Sequence, residues 1–516
     1  MSSRILGFWR TAQSQFARED WAGARQSLRQ LLAIEPGRLP ALLLLSYVES
    51  HLGRYRAARE LVLQVHAARP QQASVVMDLI SRLRTFNEAE AVLGYIDSMP
   101  PLENVTIPVL LTLSGQLSYL NEQERALPFL DEAFRGDPEY PPTLLARAQV
   151  LIYLGRFEEA NADLQRCLKR APGLASIYWH LSRMPRGIET GDHVGRLRRL
   201  LDAPSKDPEH VALVGYALHN ELDRRGDYAG AWEALLRACK AKRALLDYRS
   251  ADTTALVDAL VGMPAVAGPA KDAGGRIPIF ITGMHRSGTT LLEQLLDGHD
   301  QVKGVGELYD FTSQMRYATD HHCRGVIDAT VIERAAAVDF AAVGRGYLEK
   351  MEWRLGGERC FTDKLPSNFL NIGFICQALP QAKILHMVRD PVETCFSNLR
   401  ELFSEANPYS YDQLELADFY KQYRRLMAHW HQAWPGRILD VDYAELTRDP
   451  ETVLRRICAF CGLDFQPQML ALTERERGVA TASAVQVRQG IVARERPKWA
   501  PYEAYLQPLI QALRDY

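Results

Sequence analysis

The chain has 516 residues, 47% of them hydrophobic and 24% charged, and a formal net charge of −2. That length exceeds one ordinary core and predicts two or three domains. The balanced charge excludes a global basic field for nucleic acid or acidic membranes. The opening MSSRILGFWRTAQSQFARED has no sustained apolar run of the signal-peptide kind, and no stretch reaches the roughly 18 apolar residues of a spanning helix. A cytoplasmic protein with reduced thiols is expected, engaging neither membrane nor nucleic acid.

The first half repeats itself. Pro36, Pro70, Pro138 and Pro172 fall on one lattice of 34 residues, with Asn104 at the missing node. Small residues keep the beat at Ala24, Ala58, Ala126 and Ala160, with Val92 in the middle copy, and aromatics mark Trp21, Tyr55 and Phe157. LGRY at 52–55 recurs as LGRF at 154–157, and ALLLLSYV at 41–48 reads as buried helix. This resembles the tetratricopeptide repeat, in which the small residue lets two helices approach and the aromatic fills the gap to the next pair. A further copy, carried by Gly226, Tyr228 and Ala231, has slipped in register. The repeat resemblance implies either a docking surface for a polypeptide or a dimerisation and spacer scaffold. The expected divisions are a repeat domain over 1–184, a further helical repeat or connector over 185–260, a Gly/Pro/Ala-rich linker over 261–276, and an α/β domain over 277–516 with a parallel sheet.

That last region opens with the β-branched RIPIFITG, then GMHRSGTT from Gly283 to Thr290, then the helical LLEQLLDGH. Strand, glycine-rich turn and helix form a phosphate-loop context whose backbone N–H groups face an anion. The nucleotide-hydrolase version carries Lys where this chain has Thr289, and here the cation is Arg286 inside the loop. A transferring γ-phosphoryl group brings dense charge that Lys and Mg²⁺ neutralise, whereas a sulfuryl group carries less. Downstream, the strand KILHMVRD ends in Arg389, and Ser397 follows eight residues on along a helical segment. That pair can clamp a second phosphate. A donor with two separate anionic ends fits, and 3′-phosphoadenosine 5′-phosphosulfate (PAPS) has a 5′-phosphosulfate and a 3′-phosphate. HHC at 321–323 reads as a solvated loop. Cys458 and Cys461 lie in the amphipathic VLRRICAFCGL and, lacking a second pair at zinc spacing, read as packing.

Residues 277–516 resemble a sulfotransferase of the tyrosylprotein branch, and the whole chain resembles bacterial tetratricopeptide-sulfotransferase fusions. RSGTTLLEQLLDGH is similar to the family's 5′-phosphosulfate loop, which implies donor contacts from Arg286, Ser287, Gly288, Thr289 and Thr290. VRDPVETCFS resembles the 3′-phosphate motif, carried by Arg389 and Ser397. VDYAEL implies that Tyr443 lines the adenosine side, and SAVQVRQGIVARERPKW implies that Ser483 and Lys498 reach the donor phosphates. VGEL puts Glu307 at the family's catalytic glutamate, the expected base for an attacking hydroxyl. TDKLPSNF puts Lys364 near the donor's bridging oxygen, where it offsets developing charge. The implied reaction is in-line sulfuryl transfer from PAPS without metal. The acceptor stays open between a protein tyrosine, a glycan and a small metabolite, with the repeats favouring a polypeptide. The chain departs from the family at His285 and Gly490, each in place of Pro, and at Glu401, in place of a donor-binding Arg, with Arg400 beside it. Two other classes compete: a metal-dependent phosphate-loop kinase or hydrolase, opposed by the missing Lys, and a repeat scaffold with an inactive domain, opposed by Glu307 and Lys364.

Overall fold

The computed structural model describes residues 2–204, 207–263, 275–472, 478–479, 481, 483–488, 490–493 and 496–514. Its first half consists of antiparallel helix pairs, and the 34-residue beat has a backbone cause. Left-handed residues stand at Glu19, Gly53, Asn87, Asn121 and Gly155, with φ of 59, 71, 57, 64 and 80°. Each lies 34 residues after the last, in the turn between the two helices of a pair. Asn enters this conformation at lower cost than most residues because its short amide bonds locally. The two middle pairs, Ala73–Thr85 with Ala89–Asp97 and Ile107–Tyr119 with Gln123–Gly136, are therefore full repeats whose turn glycine has become Asn. Asn121→Ala should destabilise the protein by less than the ~1–2 kcal/mol left-handed penalty, because Asn already bears the Cβ and only its local amide bonding is lost, whereas Asn121→Gly should be neutral or stabilising at this turn. Urea unfolding of the two variants side by side measures the difference.

Ala24, Ala58, Val92, Ala126 and Ala160, the small residues of the lattice, are each 2% exposed or less. They sit where the helices of a pair cross. Trp21 stacks on His51 of the next pair at 3.9 Å, the role expected of the lattice aromatic. Later helices span Ala175–Ser182, Val194–Asp202, Pro208–Arg225, Tyr228–Arg243 and Ser250–Val261. The slipped copy turns at Gly226, with φ of 80°. The expected linker falls mostly on 264–274, outside the described residues. Among the described residues no helix is long and apolar enough to cross a membrane.

Chain contacts define two compact units, 1–133 with 309–353, and 134–308 with 354–516. These cut the chain elsewhere than the composition shifts at 184, 260 and 276. In the first unit, the segment 309–353 packs on the early repeats. Arg56 donates to the carbonyls of Tyr317 and Ala318 at 2.8 and 2.7 Å, and buried Glu88 pairs with Arg59 at 2.5 Å and Lys350 at 2.6 Å. The HHC stretch belongs to this packing and is not the solvated loop expected of it. Cys323 is 1% exposed, Arg316 donates to its carbonyl at 2.9 Å, and His321 pairs with Asp328 at 2.7 Å.

The second unit holds a five-stranded sheet: β1 Ile277–Gly283, β2 Val302–Gly304, β3 Cys360–Asp363, β4 Lys383–Val388 and β5 Ile438–Asp442. The order is β2-β3-β1-β4-β5 and every pairing is parallel. β1 is therefore central and its apolar run is buried, with Ile279 and Ile281 at 0% exposure. They share one core with Leu292, Leu296, Leu385, Val441 and Ile457. Cys458 and Cys461 lie in that same core, where burial pushes their thiols up to about 11 and about 12. All eight cysteines are unbridged and buried. Repeat helices of this unit bind the sheet domain directly: the Tyr216 hydroxyl donates to the Leu399 carbonyl at 3.0 Å, and Arg400 pairs with Asp223 at 2.7 Å.

Candidate functional site

Each strand delivers one piece of the site at its carboxyl end, where open parallel sheets bind ligands. The loop 283–288 follows β1, Glu307 follows β2, Lys364 follows β3, Arg389 follows β4 and Tyr443 follows β5. The loop is tightly curled. Gly283 and Gly288 have φ of 148 and 113°. A Cβ on Gly288 would lie 2.4 Å from the Tyr443 ring, and one on Gly283 would lie 2.8 Å from the Met387 carbonyl. Arg286 itself has φ of 65°, a non-glycine strain of the kind that collects at ligand clamps. The loop ends on the helix Thr289–Leu296, whose N-terminal N–H groups and dipole favour an anion.

Arg286 gathers two segments distant from it in sequence, one at Ser397 and one at 483–486. Its guanidinium donates to Ser397 Oγ at 3.4 Å, Ser483 Oγ at 2.6 Å and Gln486 Oε1 at 2.9 Å. Arg389 donates to the Arg286 carbonyl at 3.0 Å and pairs with Glu393 at 2.7 Å. Its guanidinium lies 4.3 Å from the Tyr443 ring centre. Thr290 donates to Thr481 at 3.3 Å. The Lys498 backbone N–H bonds Glu393 at 3.1 Å, and its side chain lines the cavity beside Arg286 and Ser397. Ser287 Oγ is buried with no hydrogen-bond partner among the described residues. Guanidinium groups, hydroxyls, loop N–H groups and an orphaned buried hydroxyl make a donor-rich cradle that suits a phosphate or sulfate group.

The other half of the site is an ion pair. Lys364 has a fully buried side chain, and its Nζ lies 2.5 Å from Glu307 Oε1. Glu307 is 36% exposed on its side chain, so one face of the carboxylate meets the outside while a cation backs the other. The supports of this pair were not legible in the motifs. Glu293 Oε1 accepts from Gly306 N at 2.7 Å and Thr362 Oγ1 at 3.0 Å. Asp297 accepts from Gly304 N at 2.6 Å, and the Gly306 carbonyl accepts from Lys364 N at 3.0 Å. The available signal was a lone carboxylate inside the apolar LLEQLL, a position that must be satisfied when buried. His285, noted for replacing Pro, is half-buried between the halves. Burial pushes it down to about 4, and its ring lies 5.7 Å from Phe403, so it stays neutral and stiffens the loop by packing. Apart from this site, His386, His431 and Asp440 are grouped closely enough to hold an ion. There one Asp440 oxygen accepts from both rings at 2.7 and 2.9 Å, which satisfies the group as a hydrogen-bonded trio.

Comparison with known proteins gives two family matches. The family described as "Sulfotransferase family" matches residues 278–467, and a tetratricopeptide repeat family matches residues 15–83. A protein of Aquifex aeolicus, itself uncharacterized, is 29% identical over 390 residues, covering 73% of this chain and 51% of the relative. The chain thus spans about half the length of that relative. A Caenorhabditis briggsae protein whose name proposes a protein-tyrosine sulfotransferase is 26% identical over 246 residues, covering 46% of this chain and 85% of that protein. Among solved structures, the sulfotransferase domain of a Synechococcus olefin synthase is 20% identical, covers 48% of this chain and 98% of that one, and superposes with a TM-score of 0.30. A mouse sulfotransferase complexed with PAP is 16% identical, covering 52% of this chain and 96% of that one, with a TM-score of 0.26.

Proposed function

We propose, for a chain that joins a tetratricopeptide repeat region to a sulfotransferase domain, that it transfers the sulfuryl group of PAPS to an acceptor hydroxyl, a tyrosine in a polypeptide being the preferred acceptor. The observation that carries this reading is the convergence of two features on one edge of one sheet: the Arg286–Ser397–Ser483 cluster and the buried Lys364–Glu307 pair. The cluster, with Arg389 and Lys498, would hold the donor's 3′-phosphate. The loop N–H groups with Ser287, Gly288, Thr289 and Thr290 would hold the 5′-phosphosulfate, and Tyr443 would line the adenosine. In the transfer, the acceptor oxygen bonds to sulfur as the bond from sulfur to the bridging oxygen breaks. Glu307 takes the acceptor proton, and the electron pair leaves on 3′-phosphoadenosine 5′-phosphate (PAP). Lys364, held by Glu307, donates to the departing oxygen and neutralises the charge that gathers there. The chemistry assigned to these residues requires no metal.

The tyrosine acceptor draws support from the repeats, a fold used to bind polypeptides, and from the name of the nematode relative. The deciding experiment incubates the full chain, in the presence of EDTA, with sulfur-labelled PAPS and one of three acceptors: a tyrosine-containing acidic peptide, a glycan or a small phenol. Label should pass to a hydroxyl with one PAP released per transfer, fastest with the peptide. Calorimetry showing no binding of PAP to the protein would overturn the reading. Transfer confined to the glycan would overturn the tyrosine acceptor alone.

A further inference from the structure

In the second compact unit a cavity of about 620 Å³ opens beside Arg286 and Ser397. Its walls come from both halves of the sequence. Seven basic side chains line it against three acidic ones. Three of those seven, Arg183, Arg186 and Arg224, belong to the repeat half. Basic groups in such excess favour a multiply charged anion in the cavity.

Arg183 is the repeat-half cation best built into the site. It follows the helix Ala175–Ser182, and its guanidinium lies 4.7 Å from the Trp179 ring centre, a cation–π contact that orients it. Its Nη2 is 3.1 Å from Glu401 Oε1, while the other Glu401 oxygen is 3.7 Å from Arg286 Nη1. One nearly buried carboxylate therefore bridges a repeat arginine and the loop arginine. Glu401 lies four residues beyond Ser397, and the repeat helices fix that stretch through the Tyr216–Leu399 and Arg400–Asp223 contacts. Burial lowers the Arg286 pKa; Glu401 opposes this, and Arg183, Arg389 and Arg400 lower it further. The carboxylate thus holds together guanidinium groups that otherwise repel.

We infer that Arg183 is a donor-binding residue, so that the repeat half of the second unit supplies part of the pocket for the nucleotide's 3′-phosphate. This rests on the proposed sulfuryl-transfer reading. Glu401 pairs with both Arg183 and Arg286, and a 3′-phosphate, carrying more charge than one carboxylate, shares these two guanidinium groups with it. Donor specificity would then depend on a residue about a hundred positions before the loop.

The test is calorimetric titration of the full chain with PAP and with adenosine 5′-phosphate, which lacks the 3′-phosphate. Arg183→Gln should weaken PAP about 10–100-fold, the loss of one charge-assisted contact, and leave adenosine 5′-phosphate unchanged. Arg183→Lys should recover part of the loss. Glu401→Gln should tighten PAP, and adding Arg183→Gln to it should still weaken binding at least about 10-fold. This second background separates loss of a phosphate contact from a carboxylate left unpaired. Thermal unfolding of each variant verifies folding. If Arg183→Gln leaves PAP affinity unchanged in the Glu401→Gln background, the inference fails while the transferase reading stands. If the wild-type chain does not bind PAP, the transferase reading itself fails.

Discussion

Glu307→Gln is expected to lower turnover about 10²–10⁴-fold, the usual contribution of a positioned base, while PAP binds at least as tightly as to the wild type. The second half of that expectation follows from the ion pair. Lys364 is wholly buried, and its partner is Glu307 at 2.5 Å. Gln keeps an oxygen to accept the Lys364 hydrogen bond but removes a negative charge from beside the site assigned to the donor's sulfuryl end. The desolvated ammonium then looks to the donor's own charge for compensation. Single-turnover rates with labelled PAPS, measured beside PAP affinity, separate the two quantities. Near wild-type turnover would remove Glu307 from the role of base. The neutral His285, half-buried beside the same pair, would then become the candidate.

The second large effect concerns the 3′-phosphate. Arg389→Ala should weaken PAP about 100-fold and Ser397→Ala about 10-fold, with adenosine 5′-phosphate little changed by Ser397→Ala. Arg389 carries more because it does more in the fold. It bonds the Arg286 carbonyl, pairs with Glu393 and lies over the Tyr443 ring. Its removal therefore loosens the loop as well as the phosphate contact, and some loss for adenosine 5′-phosphate is expected from Arg389→Ala alone. Arg389→Lys should fall between, since an ammonium keeps the charge but not the forked geometry. Equal losses of both nucleotides from Ser397→Ala would refute the 3′-phosphate assignment.

Much of this was legible in the residues themselves. The periodicity of Ala24, Ala58, Ala126 and Ala160 announced helix pairs, and β1 with its curled loop was plain from RIPIFITG and the two glycines. What stayed hidden was of two kinds. Asn87 and Asn121 carry the turn conformation that glycine carries elsewhere, and composition alone does not separate a turn Asn from a surface one. The supporting residues Glu293, Asp297 and Glu401 act through contacts that span from 7 residues, for Asp297 with Gly304, to 218, for Glu401 with Arg183, and no local pattern encodes such pairings. Glu401 was visible only as a departure from a family pattern, and its partner Arg183 lies just past a helix far upstream. The compact units were equally hidden. Composition changes at a linker, but the packing of 309–353 on the early repeats depends on Arg56, Glu88 and Lys350 meeting in space.

That packing sets an order of events during synthesis. The first unit is made of 1–133 and 309–353, so a nascent chain cannot complete it when residue 133 leaves the ribosome. At roughly 5–20 residues per second, the missing piece arrives about 10–40 s later. Until then the face holding Tyr55 and Phe86, both 1% exposed or less in the finished protein, has no cover, and the Arg59–Glu88 pair lacks Lys350. The segment that arrives is bracketed by Glu307 and Lys364. Closing the first unit therefore ties down the stretch of chain between the two residues to which the chemistry is assigned, before the last two strands of the sheet have been made.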